Sequence, residues 1–144
     1  MYQGSPTGGM KFYELLMESE EFTSALGKVT LASGKLEAEL IILLTKNGVK
    51  GDYNKATLGK LISIGIKNNL FDQNMIISLQ QISKQRNYIT HNIYALFTDL
   101  IDETILERNN LLDSDVYLYV ERAWQLQENL DGVAEILKQK NRNC

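Results

Sequence analysis

Apolar residues recur at alternating four- and three-residue steps through most of this chain, and no proline follows Pro6 to interrupt them. At roughly 100° per residue that spacing lays one stripe along an α-helix, whereas a half-buried strand would need strict alternation. Proline removes a backbone donor and breaks helices, so its absence beyond Pro6 lets the pattern run. The expected fold is all-α: an antiparallel bundle of four to five helices joined by short connections. With 144 residues the chain is long enough for one domain with a proper core.

Residues 1–9 are turn-rich and expected to be flexible, either a cloning remnant ahead of a natural start at Met10 or native sequence. Residues 10–144 read as a single helical domain. A short helix is expected over 11–19 with Phe12, Leu15 and Leu16 inward. A long one follows over 20–47, with Leu26, Val29, Ser33, Leu36, Leu40 and Leu43 inward. Gly27, Ala32, Ser33, Gly34 and Ala38 are small, so another helix could approach closely, either from the same core or from a second protomer. The cluster 47–52 should end this helix, with Gly48 as a left-handed cap. Asp52 or Asn54 would cap a helix over 55–68 that buries Leu58, Leu61, Ile62 and Ile66. Asn68 and Asn69 break it, and Asp72 caps a central helix reaching Phe97. Residues 98–115 mix apolar pairs with charges and fit either a hairpin with Asn109-Asn110 at its tip or a frayed helix. Ser114 or Asp115 would cap a last helix to Lys140, with Val116, Val120, Trp124, Leu130, Val133 and Leu137 inward and a bend at Gly132.

The central helix carries the most informative misfit. Met75, Leu79, Ile82, Ile89, Ile93 and Leu96 form one stripe, and the missing member of the series is Arg86. A guanidinium in an apolar stripe costs several kcal/mol unless it is paired and hydrogen-bonded, roughly what functional sites tolerate. Its structural explanation would be a salt bridge to Glu37 or Glu39. A second line beside the stripe runs through Ile76, Gln80, Ser83, Asn87, His91 and Tyr94. By the α-helical count Arg86 and His91 lie roughly 140° apart and flank a shared groove. A basic group, the only imidazole of the chain, an amide and a phenol would converge there.

Composition narrows the chemistry. The net charge of −3 and pI near 5.2 argue against broad nonspecific binding of nucleic acid and leave room for a small basic site. The lone Cys144 excludes an internal disulfide and a cysteine-based zinc site, and a single histidine excludes a two-histidine metal helix. Ser33-Gly34-Lys35 lacks the leading glycines of a phosphate loop. No metal or other cofactor is expected. No apolar run has the length of a membrane span, no signal-peptide pattern is visible, and the cysteine usage suits a reducing cytoplasm.

The run Arg86-Asn87-Tyr88-Ile89-Thr90-His91 resembles the Arg-x4-His signature of the HEPN superfamily (higher eukaryotes and prokaryotes nucleotide-binding). Upstream, Ala56-Thr57-Leu58-Gly59-Lys60-Leu61-Ile62 resembles the Thr-Leu-Gly-x-Leu-Ile helix start of several HEPN groups. The likeness spans about residues 22–97. It implies a HEPN-like homodimer with a composite cleft, acting as a metal-independent endoribonuclease of toxin or antiviral defence type. His91 would be the general acid or base and Arg86 the group that stabilises the scissile phosphate. Asn87 and Tyr94 would support them, and Lys84 would bind RNA at the rim. An antitoxin or regulatory protein is the further partner the resemblance implies. In toxins modified by a nucleotidyltransferase antitoxin the pattern continues His-x-Tyr, whereas here Ile93 takes that place and the tyrosine is Tyr94. The alternative, also met in the superfamily, is a noncatalytic helical adaptor that binds a partner protein or a nucleotide.

Overall fold

Residues 9–92 and 115–143 are described by the computed structural model. They form five helices: α1 (Gly9–Glu18), α2 (Glu20–Lys46), α3 (Leu58–Lys67), α4 (Gln73–Asn87) and α5 (Val116–Arg142). A π-helical turn, Tyr88–Asn92, continues α4. No strand occurs among the described residues, so the chain is all-α. The segments 1–8 and 93–114 lie outside them, and with these the expected hairpin.

Local chemistry sets most boundaries. Ser19 both ends α1 and starts α2: its N–H donates to the carbonyls of Leu15 and Leu16, and its hydroxyl accepts the Phe22 N–H at 3.1 Å. Glu20 and Glu21 follow in the first turn, where carboxylates favour the positive end of the helix dipole. Gly48 ends α2 with φ 73° and a paired closure, Gly48 N–H to Thr45 O and Val49 N–H to Leu44 O. Asn69, at φ 57°, closes α3 the same way through Leu70 N–H to Gly65 O. Asp72 caps α4 by accepting the Met75 N–H at 2.8 Å.

The expected caps of α3 are wrong. Asp52 spends its carboxylate on the Asn54 N–H two residues on, and Thr57 caps the helix by accepting from Lys60 N–H at 3.2 Å. α3 therefore starts at Leu58 rather than at 55. A short side chain that closes a turn on its own neighbours is no longer available as a helix cap.

The core lies between the two 27-residue helices, each about 40 Å long. Phe22 meets Tyr119, Lys35 pairs with Glu135 and Glu39 with Asn141, so α2 and α5 run parallel rather than antiparallel. α3 and α4 lie between them, and the π turn that continues α4 comes back to the start of α5, where Tyr88 meets Tyr119. α2 presents Val29, Ser33, Leu36, Leu40 and Leu43 inward as expected, with Leu26 only partly covered. Ala25, Ala32 and Ser33 on α2 and Ala123 and Ala134 on α5 are all buried, which allows close approach of the two backbones. Gly27 and Gly34 instead face away, with no atom within 4 Å of a Cβ at either.

In α5 the expected inward set is partly out of phase. The buried positions are Val116, Tyr119, Ala123, Leu126, Leu130, Ala134 and Leu137, while Val120 and Val133 are half-buried and Trp124 is 57% exposed. The large apolar residues suggested one phase, but the packing selects Tyr119 and the small Ala123. Asp115 makes no side-chain cap, and α5 continues as one helix through Gly132. Near its end Asn141 is buried and donates to Glu39 O and Oε1, both at 3.0 Å, while its own carbonyl accepts Lys46 Nζ. Lys140 Nζ donates to Leu70 O at 3.0 Å and ties α5 to the turn before α4.

Candidate functional site

Leu79 and Ile82 are buried on α4, and Arg86 follows them in the same phase. Its side chain is 17% exposed. Nη1 donates to Asn87 Oδ1 at 3.0 Å, and Nη2 lies 4.0 Å from Glu37 Oε2 on α2. Of the two carboxylates the sequence offered, Glu37 is the partner. Glu39 is engaged with Asn141 instead.

On the other side of α4 a groove of about 340 Å³ opens toward α3. Gln80, Ser83, Lys84 and Asn87 form its α4 wall, and Gly59, Ile62 and Ser63 are among its α3 residues. Gln80, Ser83 and Asn87 of the second line in the sequence therefore belong to a groove wall, whereas Ile76 does not. Gly59 brings α3 close, since a Cβ there would sit 3.5 Å from Ser83 Oγ. Tertiary structure thus sets Gly59 and Ile62, of the Thr-Leu-Gly helix start, across from Lys84 and Asn87. Arg86 touches this groove only through Asn87. Lys84 and Arg86 both fall in the last turn of α4, and the π turn carries the helical backbone on past them to Asn92. A phosphate here would be held by side chains.

The helix expected to run unbroken from 72 to 97 changes character at Tyr88. A π turn closes i→i+5 bonds, so residues within it, the backbone of His91 included, advance by less than the α-helical value of roughly 100° each. The angle of about 140° between Arg86 and His91 therefore does not apply. Within the turn the Thr90 hydroxyl donates to Arg86 O at 2.7 Å, as the hydroxyls of Thr23 and Thr30 do to the carbonyls four residues back along regular α2. The consecutive residues Tyr88 and Ile89 of the turn are both buried.

Tyr88 and Tyr119 join hydroxyl to hydroxyl at 2.9 Å in the interior. Tyr119 is fully buried, its ring 5.5 Å from that of Phe12 and 6.5 Å from that of Phe22. This pair pins the π turn to α1, α2 and α5. Sequence reasoning missed it. The only available signal was two tyrosines 31 residues apart, and no local period connects them.

The structure thus gathers Lys84 and Asn87 at one groove, with Arg86 bonded to Asn87 at its edge. His91 enters through its backbone in the π turn; its side chain, and Tyr94 altogether, lie outside the described residues. No helix among the described residues is long and apolar enough to cross a membrane. No protein-family model, curated protein or solved structure matches the chain.

Proposed function

We propose that the protein is a HEPN-like, metal-independent RNA endonuclease of toxin or defence type, cytoplasmic, with a composite Arg86/His91 site at a homodimer interface. The observation that carries this reading is the guanidinium of Arg86 hydrogen-bonded to Asn87 at a groove containing Ser83 and Lys84, directly ahead of the π turn that includes His91. π turns occur often at functional sites.

In this reading the 2′-hydroxyl of RNA attacks the adjacent phosphorus and expels the 5′-oxygen of the next nucleotide. The products are a 2′,3′-cyclic phosphate and a free 5′-hydroxyl. His91 takes the hydroxyl proton or protonates the leaving oxygen, a contribution of about 10²- to 10⁴-fold. Arg86 offsets the charge that builds on the phosphate in the transition state. A single imidazole does not readily serve both sides of the phosphorus, so a second copy would supply the other. An antitoxin or regulatory protein would hold the activity in check.

One observation favours a second reading, the noncatalytic adaptor binding a partner protein or nucleotide. Arg86 is mostly covered and faces Glu37, a carboxylate that competes with a phosphate for the same guanidinium. Purified protein incubated with total RNA in EDTA separates the two. Cleavage with cyclic-phosphate ends, abolished by Arg86→Ala and by His91→Ala with helicity unchanged, is the expected outcome. Wild-type protein that cleaves no RNA would turn the reading to the adaptor, and variants with full activity would move the site elsewhere.

A further inference from the structure

Trp124 is the only tryptophan of the chain, and it stands outside the core. Tyr117, two helical turns earlier on the same face of α5, is 61% exposed. Beside Trp124 a groove of about 340 Å³ runs between the early turns of α2 and α5. Ala25 and Val120 supply its apolar surface; Ser24, Lys28, Glu21 and Glu121 supply its polar groups. Because the two helices are parallel, Glu21 and Glu121 stand at the same end, one carboxylate from each side. Glu18 and Glu20 are exposed next to Glu21 in sequence, and Arg122 is exposed next to Glu121. Lys28 lies two turns farther along α2, at the other end of the groove.

An exposed indole beside carboxylates is suited to a cation. A guanidinium or ammonium over the ring is attracted by its π face, tryptophan being the best of the aromatic partners, and the carboxylates add charge and hydrogen-bond acceptors. RNA would gain the same stacking surface, but its phosphates would sit beside two carboxylates with one lysine to offset them. We propose that this groove docks a basic segment of a partner protein. An arginine or lysine lies over Trp124 between Glu21 and Glu121, and a neighbouring apolar side chain rests on Ala25 and Val120. The surface is distinct from the groove at Asn87 and does not depend on the ribonuclease reading.

The single tryptophan makes occupancy directly measurable in the full-length chain. A twelve-residue peptide of arginine and leucine, free of aromatic residues, is titrated while Trp124 emission is followed. Its arginine-to-glutamate counterpart and a twelve-nucleotide oligouridylate serve as competing tests. The expected result is a saturable shift of emission to shorter wavelength with the basic peptide alone. In Glu21→Gln/Glu121→Gln the affinity should fall at least tenfold, while Asp52→Asn/Glu135→Gln, of equal charge change elsewhere, should bind like the wild type. No saturable shift, an equal loss in both double variants, or a stronger response to oligouridylate would each overturn the proposal. Emission already shifted at high protein concentration and reversed on dilution would also overturn it, by making a second copy the occupant.

Discussion

Arg86 stands where the α4 stripe asks for an apolar residue, and the carboxylate it faces is only partly withdrawn from water. The Glu37 side chain keeps a quarter of its exposure, and the contact, at 4.0 Å, is long for an ion pair. Removing one member of a deeply buried pair costs about 3–5 kcal/mol, whereas pairs open to solvent contribute about 0–1 kcal/mol. Arg86→Leu fills the stripe and leaves a carboxylate that water can reach. Urea unfolding should register a change within about 1 kcal/mol of wild type, together with complete loss of RNA cleavage. A loss of about 3 kcal/mol or more would mean that Arg86 is chiefly structural. Tyr88 calls for the opposite expectation. Tyr88→Phe removes one hydroxyl from a buried bond and should cost about 1–2 kcal/mol. Because Tyr119→Phe breaks the same bond, the double variant should cost clearly less than the sum of the two, as a double-mutant cycle would measure.

Between elements, two glycines of the same chain should respond to alanine with opposite signs. In α2, Gly34 has no atom within 4 Å of a Cβ, so Gly34→Ala gains helix propensity alone and should stabilise by about 0.5–1 kcal/mol. In α3, a Cβ on Gly65 would lie 2.3 Å from Phe71 Cε2 and 2.6 Å from Cζ. The ring must leave the joint between α3 and α4, and overpacking of this kind costs about 1–3 kcal/mol, which outweighs the propensity gain. Gly65→Ala should therefore lower the melting temperature and Gly34→Ala raise it. The α2–α5 contact has an electrostatic edge as well. Gln139 Nε2 donates to Glu135 at 3.1 Å and holds its carboxyl below the usual range, with Lys35 3.8 Å away adding to this. A lowered folded-state pKa gives stability that is present above the unfolded carboxylate value and is lost as pH falls through the folded one. At this exposed site the effect is small and screened by salt.

For the whole molecule, the length of the apolar stripes is not by itself a reason to dimerise. The inward stripe of α2 is covered largely by α5 of the same chain. Among the described residues the large apolar side chains left exposed are Met17 on α1, Leu31 and Ile42 on α2, Ile77 on α4, and Tyr117, Trp124 and Ile136 on α5. The case for a dimer in the proposed mechanism therefore rests on the chemistry, since one histidine does not readily act as both acid and base. Light scattering at micromolar concentration should give about twice the chain mass. A strict monomer, with RNA present or absent, would remove the composite-site mechanism even if Arg86 and His91 proved essential.

Interactions within a few residues were legible in the sequence. The helical period, the left-handed turn at Gly48, the Asp72 cap and the inward phase of α2 are decided by backbone sterics and side chains next to one another. The misfit of Arg86 and its two candidate partners, Glu37 and Glu39, were also legible, because a charge in an apolar stripe must find a partner; the packing of the helices decided for Glu37. The groove wall of Gln80, Ser83 and Asn87 followed from the same helical count. Tertiary structure decided what local period leaves degenerate. In α5 the buried phase follows alanines and a tyrosine, whose fit depends on the facing helix rather than on their own hydrophobicity. The parallel pairing of α2 and α5, the bond from Tyr88 to Tyr119 and the outward position of Trp124 each depend on residues far apart in the chain. The π turn has no local signal in the sequence; the burial of both Tyr88 and Ile89 against the core accompanies it.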